Sequence, residues 1–312
     1  MRTALFPRLA RRRLRTSWAI GPGGRHRDLL FLLGPCVIYL IVFSVFPLLY
    51  SLQISLTNLT GSATSGQFVG LANYRDILSD PHFWGAAGTT LVMVGSSVAI
   101  ALVLGTALAL FFSLNLKGSS IVRAIMTVPM LITPIVVGVM WRALLNPDWG
   151  IVNWGMERLH LPSVNWLGST EMAMKTLVMV DVWQWTPFVF VIVFARLQSL
   201  PVEIFEAAQV DGAPWFAQFR WITLPLLAPA IALAAIIRGI DAFRSFDLVY
   251  GLSYGGPARA STTLSFLDYQ AGFDFHRYGT AAAIAYVMVV ILVVATTVLL
   301  RLVRVRREDA VQ

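Results

Sequence analysis

The sequence predicts an all-α, polytopic membrane protein with six transmembrane helices. Hydrophobic residues make up 57% of the 312 residues and charged residues only 13%, a composition typical of membrane proteins. A helix needs about 20 apolar residues to cross roughly 30 Å of hydrocarbon. Six segments meet this requirement, and they lie at about Leu29–Leu52, Trp84–Phe112, Ala124–Leu145, Met174–Leu197, Leu226–Phe246 and Thr280–Val303.

The distribution of positive charge predicts that both termini lie in the cytoplasm. Eight arginines precede the first span and four more cluster at the end of the last, and Lys and Arg flanking a span favour the cytoplasmic side. The same orientation places Lys117, Arg123, Arg196 and Arg220 in the cytoplasm. We therefore attribute the net charge of +8 to membrane topology and contact with lipid, and we predict no nucleic-acid partner.

Small residues and prolines distinguish the second, third and fourth spans. Ala101, Gly105 and Ala109 recur every four residues in the second span, a spacing that favours close approach of another helix. Proline removes a helix hydrogen bond. Pro129 and Pro134 are therefore predicted to break or bend the third span and Pro187 to interrupt the fourth.

An unpaired charge inside a membrane span is costly, and three charged residues stand out within the predicted spans: Asp181, Arg238 and Asp241. Arg238 and Asp241 are three residues apart and can pair on one helix face, which Arg244 continues. Such charges indicate either a functional site or an ion-pair network that holds the helices together.

A polar segment, residues 199–224, separates the fourth and fifth spans. Pro201 is typical of a first helical turn, and Asp211-Gly212 predicts the end of that helix because glycine readily adopts the left-handed conformation. A second short helix is predicted to extend to Leu224-Pro225, where the next span begins. The predicted helical faces are Val202/Phe205/Ala208 and Glu203/Glu206 in the first helix, and Trp215/Phe219/Ile222 in the second. This pattern predicts a helix-turn-helix outside the bilayer, and by itself it also fits a helix that rests on the membrane surface.

The same segment resembles the EAA loop of binding-protein-dependent ABC importer permeases. The resemblance lies in Glu206-Ala207-Ala208, Asp211-Gly212-Ala213, Ile222 and Leu224-Pro225. Two further stretches are similar to the carbohydrate-transporting branch: Gly70 to Trp84, and Gly255-Gly256-Pro257 followed by Ser261-Thr262-Thr263-Leu264.

The resemblance covers nearly everything from Leu29 to Arg301 and implies a type I ABC importer permease fold with a cytoplasmic coupling helix. The implied organisation is an arginine-rich cytoplasmic head at 1–28, a permease domain at 29–303 with its coupling loop at 199–224, and a cytoplasmic tail at 304–312.

For the coupling loop, the resemblance implies docking into a cleft of the ATPase subunit. Acidic residues there would face basic residues of the cleft, and small residues would permit close approach. The predicted coupling residues are Glu203, Glu206, Ala207, Ala208, Asp211, Gly212 and Ala213.

For the substrate, the resemblance to maltose-type permeases implies a site midway through the membrane, on the spans before and after the coupling loop. Carboxylates and guanidinium groups suit sugar hydroxyls, and an aromatic ring can stack on a pyranose. The predicted substrate-binding residues are Asp181, Gln184, Trp185, Phe188, Arg238, Asp241 and Arg244.

The resemblance also implies the partners: a second homologous permease, two copies of a cytoplasmic ABC ATPase, an extracytoplasmic solute-binding protein and a sugar. The face Ala101/Gly105/Ala109 is predicted to help pack the two permeases together. The expected location is the cytoplasmic (inner) membrane of a bacterium or an archaeon.

No catalytic or cofactor site is predicted in this chain. Its two lysines lack the glycine context of a phosphate-binding loop, so ATP and Mg²⁺ are expected to bind the partner ATPase. The four histidines have no metal-ligand spacing, and the single cysteine, Cys36, excludes an internal disulfide.

Two alternatives remain open from the sequence. The first is an ABC permease for a different solute, such as a peptide, a polyamine or glycerol phosphate. Arg238 and Arg244 leave an anionic solute possible. The second is an ion-coupled secondary transporter in which Asp181 and Asp241 bind protons or sodium.

Overall fold

The computed structural model describes the backbone of residues 24–61, 65–114 and 118–309 and the side chains of these residues except 24–30 and 302–309. Most of the predicted head 1–28, Lys117 and the end of the predicted tail lie outside the described residues. The chain divides into two compact units, one ending at Ser51 and the other beginning at Leu52.

The described residues are predominantly helical, and their only β pairing outside helices is an isolated bridge between Thr57 and Phe68. The α-helices are α1 Gly24–Leu40, α2 Phe46–Ser55, α3 Ala72–Ser79, α4 Pro81–Phe112, α5 Ser119–Leu131, α6 Pro134–Leu144, α7 Ile151–Arg158, α8 Thr170–Gln198, α9 Val202–Val210, α10 Trp215–Gln218, α11 Leu224–Phe243, α12 Asp247–Leu252, α13 Leu264–Tyr269 and α14 Tyr278–Asp309. Three π-helical turns continue neighbouring helices: Ile41–Val45, Phe219–Thr223 and Gln270–Asp274.

Five helical stretches in the described part of the chain are long and apolar enough to cross a membrane. They are Phe31–Ser55, Pro81–Phe112, Thr170–Gln198, Trp215–Phe243 and Tyr278–Arg301. The predicted third span is instead a pair, α5 and α6, whose axes differ by 100°. The described part of the chain therefore has five spans, or six if this bent pair counts as one, and the prediction of a broken or bent third span is confirmed.

The break between α5 and α6 lies where Pro134 begins α6. Ile132 and Thr133 have extended backbones, as expected before proline, which disfavours the helical conformation of the preceding residue. The Ile132 carbonyl accepts a hydrogen bond of 2.9 Å from Nε2 of Gln184 on α8. The prediction of a break is confirmed at Pro134, whereas Pro129 lies inside α5.

Pro187 does not interrupt the fourth span, and that prediction is wrong. Helix α8 is continuous from Thr170 to Gln198, with Pro187 inside it. Neighbouring side chains and packing stabilise a membrane helix around a proline. Here Pro187 is itself buried, as are Thr186 and Val189 on either side of it.

Helices α4 and α8 pack closely through the small residues of α4. A Cβ on Gly105 would lie 2.7 Å from Val189 of α8, so only glycine fits there. Ala101 and Ala109 are also buried within the chain, in one core cluster with Val189 and Phe190. This corrects the prediction that the Ala101/Gly105/Ala109 face packs a second permease: the partner of this face is α8.

In segment 199–224, α9 spans Val202–Val210 and ends at Asp211, and Gly212 has φ = +72°. The predicted first helix and its glycine end are therefore confirmed. The second helix differs from the prediction, because α10 continues through a π-helical turn into α11. The fifth span thus forms part of one helical stretch that begins at Trp215 and does not start anew at Leu224-Pro225.

Candidate functional site

Nearly all side chains of the α9 helix are exposed. Ala208 is buried and Phe205 is partly buried against the core cluster of α4, α8 and α11. Of the predicted coupling residues, Glu203, Glu206, Ala207, Asp211 and Gly212 are exposed, Ala213 is partly buried and Ala208 is buried. Val202, on the same predicted helix face as Phe205 and Ala208, is 63% exposed.

An exposed apolar surface, which the sequence reasoning missed, continues beyond α9. Val210 is 87% exposed, and Trp215 and Phe216 after the glycine turn are also exposed. Exposed apolar side chains of this kind are typical of interaction surfaces. The Trp215 ring also stacks on Phe219 of the same chain, with ring centroids 5.7 Å apart. The sequence placed Trp215 on a helix face but did not predict that this face is exposed. The signal that could have indicated exposure is the position of these apolar residues beside the Asp211-Gly212 turn.

A second constellation lies between α8 and α11, where Arg238 pairs with two carboxylates. Its Nη2 donates to Oδ2 of Asp181 at 2.8 Å and its Nη1 donates to Oδ2 of Asp241 at 2.6 Å. The side chains of Arg238 and Asp181 are each only 2% exposed, whereas that of Asp241 is 54% exposed. The predicted Arg238–Asp241 pair is confirmed, and the bridge to Asp181 makes it a network that joins two spans.

The guanidinium of Arg238 also lies 4.7 Å from the centroid of the Trp185 ring. A cation over an aromatic face is stabilised, and more strongly where water is excluded. Trp185 in turn contacts Phe188 edge-to-face, with ring centroids 6.3 Å apart. Arg238 thus holds both the Asp241 carboxylate and the Trp185 ring in place.

A cavity of about 150 Å³ adjoins this network. Four of the seven predicted substrate residues line it: Asp181, Trp185, Asp241 and Arg244. The other three do not line it: Gln184 is buried and bonded to Ile132, Phe188 packs in the core cluster and on Trp185, and Arg238 lies behind the two carboxylates.

The cavity also includes residues that the sequence reasoning missed. They are Pro134 at the start of α6 together with Ala242, Ser245, Phe246, Asp247 and Leu248 around the junction of α11 and α12. Asp247 directly follows the fifth span, which was the available signal for it. Pro134 joins the site only because α6 packs on α12, with the backbones in close contact at Gly138 and Gly251.

A larger cavity, of about 400 Å³, lies in the segment between α6 and α8. It is lined by Trp149, Trp154, Asp148 and Glu157 among others. This segment connects two spans. The larger cavity is therefore separate from the Arg238 network, which lies inside the predicted spans. Within the described residues, no group of three or more His, Cys, Asp or Glu side chains could hold a metal ion.

Residues 97–307 match the family model described as "Binding-protein-dependent transport system inner membrane component". The chain belongs to this family. As an ABC transporter permease, it is a multi-pass membrane component of a transport system, and the family predicted from the EAA-like segment is confirmed.

Two curated relatives are permeases of sugar-type systems. The chain is 36% identical over 274 residues to the trehalose/maltose transport system permease protein MalF of Thermococcus litoralis, covering 88% of this chain and 92% of the relative. It is 32% identical over 278 residues to the sulfoquinovosyl glycerol transport system permease protein SmoG of Agrobacterium fabrum, covering 88% and 90%.

A solved structure shows the same fold. It is a bacterial alginate ABC transporter in complex with an alginate pentasaccharide-bound periplasmic protein. The match covers 88% of this permease and 93% of the matched chain of that transporter. The TM-score is 0.77 at 23% identity, so this likeness concerns the fold alone. The predicted type I permease fold is thereby confirmed.

Proposed function

We propose that this permease is the transmembrane subunit of an ATP-driven importer that moves a carbohydrate, meaning an oligosaccharide, a monosaccharide derivative or a polyol, into the cytoplasm. The observation that carries the proposal is the pairing of an exposed coupling helix, α9, with a polar cavity between α8 and α11. The curated relatives named for sugar systems support the substrate class.

Helix α9 supplies the coupling surface. Glu203, Glu206 and Asp211 offer exposed negative charge to basic residues of a cytoplasmic ATPase. The exposed Val210 supplies apolar contact area, and Gly212 ends the helix so that the chain can turn back into the fifth span. Closure of two ATPase subunits on ATP would push α9 and switch the permease from inward-facing to outward-facing.

The cavity beside Arg238 supplies part of the solute site. The Asp241 carboxylate accepts hydrogen bonds from hydroxyl groups, Arg244 donates them, and the Trp185 ring offers an apolar face for stacking. Its volume of about 150 Å³ is below the 300–1,000 Å³ usual for ligand sites. A second, homologous permease is therefore proposed to complete the site.

The remaining partners follow from the family. A soluble extracytoplasmic binding protein would deliver the solute, as the family description "binding-protein-dependent" and the periplasmic protein bound to the alginate transporter both support. Two ATPase subunits would bind ATP and Mg²⁺, and this chain would have no catalytic role. Both termini are proposed to lie in the cytoplasm, with the protein in the inner membrane of a bacterium or an archaeon.

The test is the ATPase activity of the complex, purified with its second permease, ATPase and binding protein, across disaccharides, polyols, anionic sugars and glycerol phosphates. We expect one sugar class to stimulate hydrolysis. Stimulation by a non-sugar alone would retain the coupling role and overturn the substrate class. Failure to form any complex with an ATPase would overturn the proposal.

A further inference from the structure

We infer that the cavity beside Arg238, taken as the solute site proposed above, favours uncharged polyhydroxylated solutes over anionic ones, and that the Asp241 carboxylate sets this preference. The inference concerns the charge of the solute, which the resemblance to sugar permeases does not decide. It follows from how the guanidinium groups and carboxylates of this chain are paired.

Arg238, which the sequence alone would offer to an anion, is already occupied. Both terminal nitrogens donate to carboxylates, at 2.6 and 2.8 Å, and its side chain is 2% exposed. The Nε of Arg238 has no hydrogen-bond partner among the described residues but is buried, so an anionic solute could reach this guanidinium only by displacing Asp241 or Asp181. Displacement would leave a carboxylate unpaired, which for the buried Asp181 is strongly unfavourable.

The charges that line the cavity are mostly negative. Three carboxylates, of Asp181, Asp241 and Asp247, line it together with a single guanidinium, that of Arg244. The start of α6 at Pro134 adds a partial positive charge, about half an elementary charge. The positive charges of this helix end, of Arg244 and of Arg238, which is bonded to two of the carboxylates, sum to less than the negative charge of the three carboxylates.

Asp241 is the carboxylate best placed to read the solute. Its side chain is 54% exposed, and its ion pair with Arg238 uses Oδ2, which leaves Oδ1 to accept a hydrogen bond. An ionised carboxylate only accepts hydrogen bonds, so it pairs with a hydroxyl donor and repels a second carboxylate, sulfonate or phosphate.

The names of the relatives leave the charge open. One is named for trehalose and maltose and the other for sulfoquinovosyl glycerol, a sulfonated glycoside. Both are more than 30% identical to this chain, so family membership accommodates either kind of solute. The preference must therefore come from residues of the individual chain and its partner.

The experiment measures direct binding of matched solutes to the complex of the two permeases with the ATPase. The binding protein is left out because it has a specificity of its own. The probes are trehalose and maltose, each compared by titration calorimetry with its uronic acid, in which one CH₂OH is a carboxylate. We expect each neutral sugar to bind at least about tenfold more tightly than its acid, as a carboxylate within a few ångströms would impose.

Asp241→Asn should reduce that difference to within about threefold, chiefly by raising the affinity for the uronic acids, because it removes the charge that repels them. Glu157→Gln, a matched loss of a carboxylate at the separate cavity, should leave the difference unchanged. Asp247→Asn is the second variant, because Asp247 lines the same cavity, and it should reduce the difference in the same direction even if Asp241→Asn does not assemble.

Equal or tighter binding of the uronic acids by the unmodified complex would overturn the inference, as would an unchanged difference in both aspartate variants. Either result leaves the proposed function intact if the complex with its binding protein still imports a sugar into proteoliposomes. A complex that imports neither sugar nor acid would overturn the proposed function, and the inference with it.

Discussion

Helix α9 and the network around Arg238 carry their charged residues in opposite environments. On α9, Glu203 and Glu206 are exposed, and only Ala208 of its nine residues is buried. Between α8 and α11, Arg238 and Asp181 are almost fully buried and bonded to each other. The charges of the first region are therefore open to solvent or to another chain, whereas those of the second are largely satisfied within this chain.

Changes in the exposed region should affect function, whereas changes in the buried network should affect assembly. Removing an exposed group from α9 costs this chain little stability, so any loss of transport reports on a partner. Removing one member of a buried ion pair leaves an uncompensated charge, so the chain itself is destabilised. Variants in the two regions can be separated by measuring transport and stability side by side.

The largest effect is expected on α9. Gly212→Pro requires φ near −65° where the chain has +72°, so the turn after α9 cannot form as it is. Glu206→Arg reverses an exposed charge on the same surface. We expect either change to abolish transport while the complex stays in the membrane and the affinity of the binding protein for solute is unchanged.

Uptake into proteoliposomes and ATPase activity measure this, and Glu157→Arg, a charge reversal in the segment between α6 and α8, is the control. Normal uptake in both α9 variants would remove α9 from the coupling role.

Arg238→Met, unlike the α9 variants, should reduce the stability of the complex. It leaves the buried Asp181 carboxylate unpaired, a change that typically costs about 3–5 kcal/mol. We expect a lower yield and a lower Tm of the assembled complex. The double variant Asp181→Leu/Arg238→Met removes the buried charge with its partner and should recover much of the Tm without recovering transport.

A single variant as stable as the parent would show that the network does not hold α8 and α11 together.

Gly105→Ala tests the packing that positions α8, the helix that carries Asp181 and Trp185. The added methyl group would lie 2.7 Å from Val189, and overpacking of this kind costs about 1–3 kcal/mol. Gly95→Ala on the same helix is the matched control, because nothing lies within 4 Å of a Cβ there. We expect Gly105→Ala to lower the Tm of the complex and Gly95→Ala to leave it unchanged or higher. A lower Tm for Gly95→Ala than for Gly105→Ala would contradict the assigned contact between α4 and α8.

The smallest effect concerns Asp268 in α13, outside the membrane-spanning helices. Burial raises the pKa of this carboxyl from 3.8 to about 7. The folded chain therefore retains the proton where the unfolded chain has lost it. This contribution to the free energy of unfolding is fully present below about pH 4 and is lost as the pH rises to about 7.

Since the side chain is partly exposed, we expect a loss of about 1–2 kcal/mol across that window. Asp268→Asn should make the Tm of the complex less dependent on pH between 5 and 8. If the Tm of the parent and that of the variant depended on pH in the same way, ionisation of Asp268 would be excluded as a cause of the loss of stability.

Much of the fold and part of the site could be predicted from local sequence. The apolar segments, the glycine end of α9 and the break at Pro134 depend on residues close together in the chain. The pairing of Arg238 with Asp241 follows from helical periodicity, since they are three residues apart. Pro187 was misjudged because a helix packed on its neighbours tolerates a proline that would weaken it in isolation.

The class of protein, the apolar segments that form its spans and the polar segment that contains α9 were determined by the sequence alone, because hydrophobicity and helical periodicity are local properties. The tertiary structure alone decided which faces meet. It joined Arg238 to Asp181 across 57 residues, placed Gly105 against Val189, turned Gln184 to the free Ile132 carbonyl and brought Pro134 and Asp247 to one cavity. The physical reason is that such contacts depend on the close packing of side chains from distant segments, which no local pattern records.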